Sequence, residues 1–180
     1  AIPLTRDRLL DAVTEGRADI ATAGLTITPD RLQQVDFSVP WTSEVREVLV
    51  TSSIAKPTVF LGALAGREVV VRVSSSYYQS LKELSDLFVE DGLPPIDIIP
   101  AHEIFEDEDL LEMASVGMIG MTVADDYIAN FWQRSFTELT VRDDLAIREE
   151  GRIAWAFRKN SPLLAQAIND FVIANKPGTT

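Results

Sequence analysis

Three short stretches put hydroxyls, an arginine or paired carboxylates where the chain passes from strand-like to helix-like sequence. The first is Thr26-Ile27-Thr28-Pro29-Asp30-Arg31, directly after the apolar run Asp19–Gly24. Ligands of open α/β sheets bind outside the carboxyl ends of strands, and an arginine placed there can grip a carboxylate with its bidentate fork. The plain alternative is a Thr28 cap, Pro29 in the first helical position and a solvated Arg31. The second stretch is Ser74-Ser75-Ser76. Unpaired N–H groups and the dipole at a helix start favour an anion, and the hydroxyls add donors, although any helix is served by one serine as its cap. The third is Asp125-Asp126 after Val123-Ala124. One aspartate can cap the helix while the other pairs with an ammonium group; the alternative is that both cap or face water.

The rest of the composition narrows the chemistry. In 180 residues, 28 acidic side chains stand against 16 basic ones, a formal net charge of -12. Such a chain lacks the clustered Lys and Arg that nucleic acid or an anionic membrane surface demands. With no Cys and one His, His102, thiol catalysis, cysteine zinc sites and histidine-cluster metal sites are excluded. No nucleophile-elbow pattern surrounds Ser74–Ser76, and no glycine-rich phosphate motif occurs. The acidic run Glu103–Glu112 lacks EF-hand spacing and reads as a solvated face. His102 reads as a solvated loop residue, and Phe37 and Trp41, which bracket Pro40, as core or surface aromatics. The residues therefore point to binding, with no catalytic residue, metal or cofactor expected.

These stretches need elements to hold them. Thr5–Glu15 reads as a helix capped by Thr5 and stopped by Gly16. Asp19–Gly24 reads as a buried strand, followed by a helical turn capped by Thr28-Pro29. Glu44–Ser52, Glu68–Val73, Ile96–Ile99, Met118–Val123, Leu139–Val141 and Ile153–Phe157 read as strands. Tyr77–Asp91, Asp107–Ser115, Asp125–Gln133 and a last segment from Ser161-Pro162 to about Ala174 read as helices. This alternation argues α/β with mostly parallel strands. About Ala65 to Thr140 has the elements of a complete small α/β lobe, whereas the opening stretch has those of an incomplete one. No apolar run approaches the ~18 residues of a membrane span. The chain starts at Ala1 and ends in Lys176-Pro177-Gly178-Thr179-Thr180; both ends read as cuts in something longer.

The run Asp19-Ile20-Ala21-Thr22-Ala23-Gly24-Leu25-Thr26-Ile27-Thr28-Pro29-Asp30-Arg31, followed by Val35-Asp36-Phe37-Ser38-Val39-Pro40, resembles the signature of the family 3 extracellular solute-binding proteins. The resemblance implies the two-lobed periplasmic binding protein-like type II α/β fold, closing on its ligand about two crossovers near Val50–Ser53 and Val141–Glu149. It implies a partial lobe one over 1–52, lobe two with its hinge segments over 53–143, and a return to lobe one over 144–180. The family's opening strand, helix and strand are missing, so lobe one reads as truncated at its N-terminus. In amino-acid-binding relatives, the arginine matching Arg31 grips the ligand carboxylate, helped by the hydroxyl matching Thr26 and by the helix start matching Ser74, Ser75 and Ser76. The aspartate matching Asp125 takes the ammonium. Gly24 belongs to the same motif, and Arg6 stands where many receptors carry a stacking aromatic. The ligand set implied is Arg31, Thr26, Gly24, Ser74, Ser75, Ser76, Asp125 and Arg6.

Ile2–Asp7, Arg72–Tyr78, Asp107–Met113, Thr122–Asp126 and the terminal Lys176–Thr179 are similar to the binding-protein-like domain of the membrane-bound lytic murein transglycosylase F family. That resemblance implies a periplasmic, outer-membrane-associated protein in which a lysozyme-like domain follows and this domain senses peptidoglycan fragments. The ligand expected is then a muropeptide. The competing expectation is a free amino acid, carried by the receptor of an ABC transporter with a permease as partner. A third class, suggested by dehydratase relatives, is enzymatic.

Overall fold

The computed structural model describes residues 1–175; the Lys176–Thr179 resemblance lies outside the described residues. The chain divides into two compact units. Unit 1 is Ala1–Val45 with Glu150–Thr180, and unit 2 is Arg46–Glu149. A 3₁₀ turn (Arg6–Arg8) and α1 (Leu9–Thr14) precede β1 (Ile20–Thr26), α2 (Pro29–Gln34), β2 (Asp36–Phe37) and β3 (Thr42–Thr51). A second 3₁₀ turn (Leu61–Leu64) leads to β4 (Glu68–Arg72), α3 (Ser76–Glu90), β5 (Asp97–Ala101), α4 (Asp107–Ser115), β6 (Met121–Asp125) and α5 (Asp126–Trp132). The long β7 (Thr140–Phe157) and α6 (Pro162–Ala174) follow. β3 and β7 are the strands whose residues belong partly to each unit.

In unit 1, β1 and β2 pair antiparallel with the end of β7. Successive β7 residues point to opposite faces. Ala156 therefore packs with Val13, Ala21, Leu25 and Val35, while Phe157 packs with Ile168 and Val172 of α6. The β1 register slips between Ala21, opposite Ala156, and Leu25, opposite Ala154. Gly24 sits in that bulge at φ +62°, a conformation open to glycine and costly to a residue with a Cβ.

In unit 2, β3 and β6 pair antiparallel and β4 and β5 parallel. Alternation again sorts the core. Leu49 and Val123 join Val69, Val71, Tyr77 and Leu81 on one face. Val48, Val50 and Ala124 join Leu111, Ala114 and Ala129 on the other. The helix starts are capped locally, as the residue types dictate. The Thr28 side chain accepts from the Arg31 N–H at 3.4 Å, with Pro29 in the first turn. Ser75 Oγ accepts from the Tyr78 N–H at 3.2 Å. Glu106 and Asp109 form a reciprocal capping box at α4.

Three expectations are corrected. The helix over Thr5–Glu15 is a 3₁₀ turn followed by the six-residue α1, and Thr5 makes no side-chain cap; its carbonyl instead accepts the Arg8 N–H at 3.0 Å. The strands are not mostly parallel: β1, β2 and β3 all enter antiparallel pairings, and β4 with β5 is the parallel pair found. Strand–helix alternation predicts crossovers, and β3 and β7 escape that logic because they change unit. The strands expected over Leu139–Val141 and Ile153–Phe157 are not separate: from Thr140 to Phe157 the chain is one 18-residue strand. The charged stretch between them breaks the apolar pattern without breaking the strand.

Candidate functional site

The bulge in β1 turns the Ala23 carbonyl to Arg6, whose Nη1 donates to it at 2.6 Å. At the end of the same strand the Thr26 carbonyl accepts from Arg31 Nη1 at 2.8 Å. Thr26 is buried and Arg31 half-buried. Unit 1 thus brings Arg6, Gly24, Thr26 and Arg31 to the carboxyl end of β1, and each guanidinium is oriented by a strand carbonyl.

In unit 2 the three serines have separate positions. Ser75 is the cap of α3; its hydroxyl also donates to the Arg72 carbonyl at 2.7 Å. Ser74 binds Glu103: its N–H donates to Oε1 at 3.1 Å and its hydroxyl to Oε2 at 2.5 Å. Ser76 is buried in the first turn of α3. The anion attraction of this helix start is thus met in part by the chain's own Glu103. The solvated-face reading of Glu103–Glu112 is corrected accordingly. Glu103 holds Ser74, and Glu106 and Asp109 cap α4. Asp107 is buried against the guanidinium of Arg72. Glu103 and Asp107 find donors that linear sequence places far away. His102 is exposed, and its Nδ1 accepts the Ile104 N–H at 3.2 Å.

Asp125 and Asp126 divide as the strand ends. Asp126 accepts from the Tyr127 N–H at 2.9 Å and from Arg46 Nε at 3.1 Å. Asp125 makes no side-chain cap. It is 3% exposed, and its Oδ1 has no hydrogen-bond partner among the described residues. Its N–H donates to the Tyr77 hydroxyl at 3.1 Å, and that hydroxyl donates to Asp107 Oδ2 at 3.4 Å. Burial above all, then the charges of Glu47 and Asp107, push the Asp125 carboxyl up from 3.8 to about 7, against the pull of a hydrogen bond from Tyr77. Burial also pushes the Tyr77 hydroxyl well above its ordinary 10.0, with Asp107 and Asp125 adding to it. The residue that sequence reading missed is Glu47. It lies directly opposite Asp125 in the β3–β6 ladder. It is 1% exposed, and neither carboxylate oxygen has a hydrogen-bond partner among the described residues. Its signal was a charged residue on the inward phase of the apolar run Val45–Val50.

Unit 2 therefore holds buried, unpaired carboxylate oxygens suited to a cationic group, and unit 1 holds oriented guanidinium groups suited to an anionic one. No group of three or more His, Cys, Asp or Glu side chains among the described residues is arranged to hold a metal ion, and no helix among them is long and apolar enough to cross a membrane.

Comparison with known proteins adds to this geometry. A membrane-bound lytic murein transglycosylase F of Desulfosudis oleivorans is 34% identical over 166 residues, covering 92% of this chain and 34% of its own length. One from Maricaulis maris is 29% identical over 164 residues, covering 89% of this chain and 33% of its own length. The chain spans about a third of the length of these relatives. An ancestral arginine-binding protein bound to arginine superposes with a TM-score of 0.78 at 21% identity, over 96% of this chain and 72% of that one. The substrate binding protein of an amino acid ABC transporter superposes with a TM-score of 0.79 at 20% identity, over 96% and 71%. These likenesses show the periplasmic binding protein type II fold. The model of the bacterial extracellular solute-binding proteins, family 3, matches residues 1–178, and the chain belongs to that family.

Proposed function

We propose that this domain binds, without chemical turnover, a small ligand carrying a carboxylate and an amine, and that in the periplasm it serves as the peptidoglycan-fragment sensor of a lytic murein transglycosylase. The observation that carries the binding reading is Asp125 at the carboxyl end of β6, a buried carboxylate one oxygen of which has no hydrogen-bond partner among the described residues. A buried polar group of this kind is costly unless something bonds it, and an ammonium group supplies both charge and donors. Within unit 1 the groups suited to the ligand carboxylate are Arg31 and Thr26, with Gly24 and Arg6 shaping the end of β1; within unit 2, Ser76 and the start of α3 offer donors to an anionic group. Ser75 is occupied as a cap, and Ser74 contributes only where Glu103 yields it. Ligand uptake then favours a closed form by its higher affinity for that form. The sensor role rests on the names of the relatives, which continue well beyond the length of this chain. A lysozyme-like domain is then the covalent partner.

A second reading, the receptor of an amino-acid ABC transporter with a permease as partner, draws on the titles of proteins that share the fold. A muropeptide stem and a free amino acid both carry the two groups, so this ligand chemistry is common to both. Thermal unfolding of the chain against muropeptides and free amino acids separates them. A ligand at 100 times its dissociation constant adds ~2.7 kcal/mol to the folded state. A shift with muropeptides alone supports the sensor. A shift with one amino acid, lost in Arg31→Ala and Asp125→Ala, supports the transport receptor. No shift with either class overturns the binding reading.

A further inference from the structure

We propose that Glu47 is the second arm of the amine site: Glu47 and Asp125 together receive one positively charged nitrogen group, an ammonium or guanidinium, and reject neutral amides in its place. The inference rests on the binding reading above and deepens it. Glu47 and Asp125 are direct partners in an antiparallel ladder, which sets their Cβ atoms about 5 Å apart on one face. Like charges in that position destabilise a sheet. Both are shielded from water, and Oε1 and Oε2 of Glu47 and Oδ1 of Asp125 are without hydrogen-bond partners among the described residues. Native interiors hold few such oxygens, and each asks for an explanation.

The neighbouring groups do not neutralise the pair. From α3, Tyr77 contributes a hydroxyl already bonded to Asp107 and to the Asp125 N–H. From α4, Asp107 adds negative charge and is itself held by Arg72 of β4. From α5, Asp126 is tied to Arg46 of β3. Two nearby cations are thus already bonded to other carboxylates. Three orphaned acceptors match the three N–H donors of an ammonium or one edge of a guanidinium. An amide has at most two N–H donors and no charge, so it leaves the pair's repulsion in place. Without a cation Asp125, buried opposite the Glu47 carboxylate, keeps its proton up to about pH 7. Taking up the cation releases that proton, so affinity rises with pH through the neutral range.

Calorimetric titration of the chain at pH 6, 7 and 8 tests this with three probes: L-alanine, L-arginine and the tripeptide L-Ala-γ-D-Glu-meso-diaminopimelic acid. Each is compared with its N-acetylated form, and the proteins are the wild type, Glu47→Gln and Asp125→Asn. The expected result is binding of a free amine that is at least tenfold weaker in Glu47→Gln, with the rise in affinity between pH 6 and pH 8 flattened in that variant. Glu47→Gln keeps the side-chain shape and removes the repulsion, so its ligand-free melting temperature at pH 8 is expected to equal or exceed that of the wild type. A variant that folds this way but binds the amine with unchanged affinity and pH dependence overturns the inference and leaves the role of Asp125 standing. Loss of affinity with an unchanged pH slope assigns Glu47 a merely structural role and also overturns it. A wild type that takes up none of the free amines overturns the binding reading and the inference together.

Discussion

Arg72 and Asp107 form one buried charge group in unit 2; Glu47 and Asp125 form another, and Tyr77 touches both. In the first, a guanidinium that is 2% exposed meets Asp107, Glu106 and the Phe105 carbonyl. In the second, two carboxylates face each other with oxygens that have no hydrogen-bond partner among the described residues. Arg72 and Asp107 are buried as Glu47 and Asp125 are, so burial does not distinguish structure from function here. Balance does. Arg72 with Asp107 is balanced in charge within the fold, although Arg72 Nε has no hydrogen-bond partner among the described residues, whereas a pair of like charges is balanced only by a proton or a cation from outside.

The largest effect that sharpens this contrast is expected at the balanced group. Arg72→Met leaves Asp107 buried without its cation, and breaking a buried pair from one side costs about 3–5 kcal/mol. Urea unfolding at pH 8 should show that loss. The double variant Arg72→Met with Asp107→Leu removes both charges and should recover most of it, because apolar replacement of a whole pair is close to neutral. A double variant as unstable as the single one would mean that the ion pair is not self-contained, and the contrast between the groups would fail.

Next in size is the pH response of the unbalanced group. The folded Asp125 carboxyl titrates at about 7 and its ordinary value is 3.8. Between those values the folded state binds more protons than the unfolded one, so this group's contribution to stability falls as pH rises. It is greatest below about pH 4 and is lost by the time pH passes 7. Asp125→Asn has no such group. The stability of the wild type relative to Asp125→Asn should therefore drop by roughly 3 kcal/mol between pH 5 and pH 8. Denaturant melts of both proteins across that range check it, and a difference independent of pH would place the charged carboxylate in a well-solvated or paired environment.

Tyr77 links the groups, and Tyr77→Phe should cost about 1–2 kcal/mol, since it removes an acceptor from the buried Asp125 N–H and a donor from Asp107. Without the hydroxyl that favours its ionised form, Asp125 should also titrate higher than in the wild type. Carboxyl NMR titration reads that directly, and a downward shift would contradict the placement of the hydroxyl.

What could be read from the sequence follows the range of the interaction. Thr28-Pro29 and Ser75 were legible as helix caps because a cap is satisfied within three residues. The strands of unit 2 were legible because Val48–Val50, Val69–Val71 and Met121–Val123 are apolar runs bounded by turn formers. β7 was read as two strands because its middle carries Asp143, Asp144, Glu149 and Glu150, and pairing rather than propensity keeps it extended. The strand directions were misread for a similar reason, since direction is set by partners. Arg31, Thr26 and Asp125 were singled out by their spacing and by the family resemblance; Thr26 ends β1, Arg31 lies in α2 with its guanidinium on the Thr26 carbonyl, and Asp125 ends β6. Glu47 was invisible because its meaning depends on which residue of β6 lies opposite. Glu103 and Asp107 were misjudged because an acidic run looks solvated until Ser74 and Arg72 are known to reach it.

The smallest effect concerns a third charge, intermediate between the two groups. Glu103 is half-buried and bonded by the N–H and hydroxyl of Ser74, just before the start of α3. It is neither cancelled by a cation nor left bare; backbone and hydroxyl dipoles hold it, helped by the helix start. Glu103→Gln preserves one acceptor and removes the charge, so a loss of about 1 kcal/mol is expected, shrinking as salt screens the charge. A loss as large as that of Arg72→Met would show that Glu103 belongs with the fully buried charges. If dipoles suffice for Glu103, the same donors can hold the carboxylate of a ligand at this helix start, while Glu47 and Asp125, whose orphaned oxygens have no hydrogen-bond partner among the described residues, call for a proton or a cation.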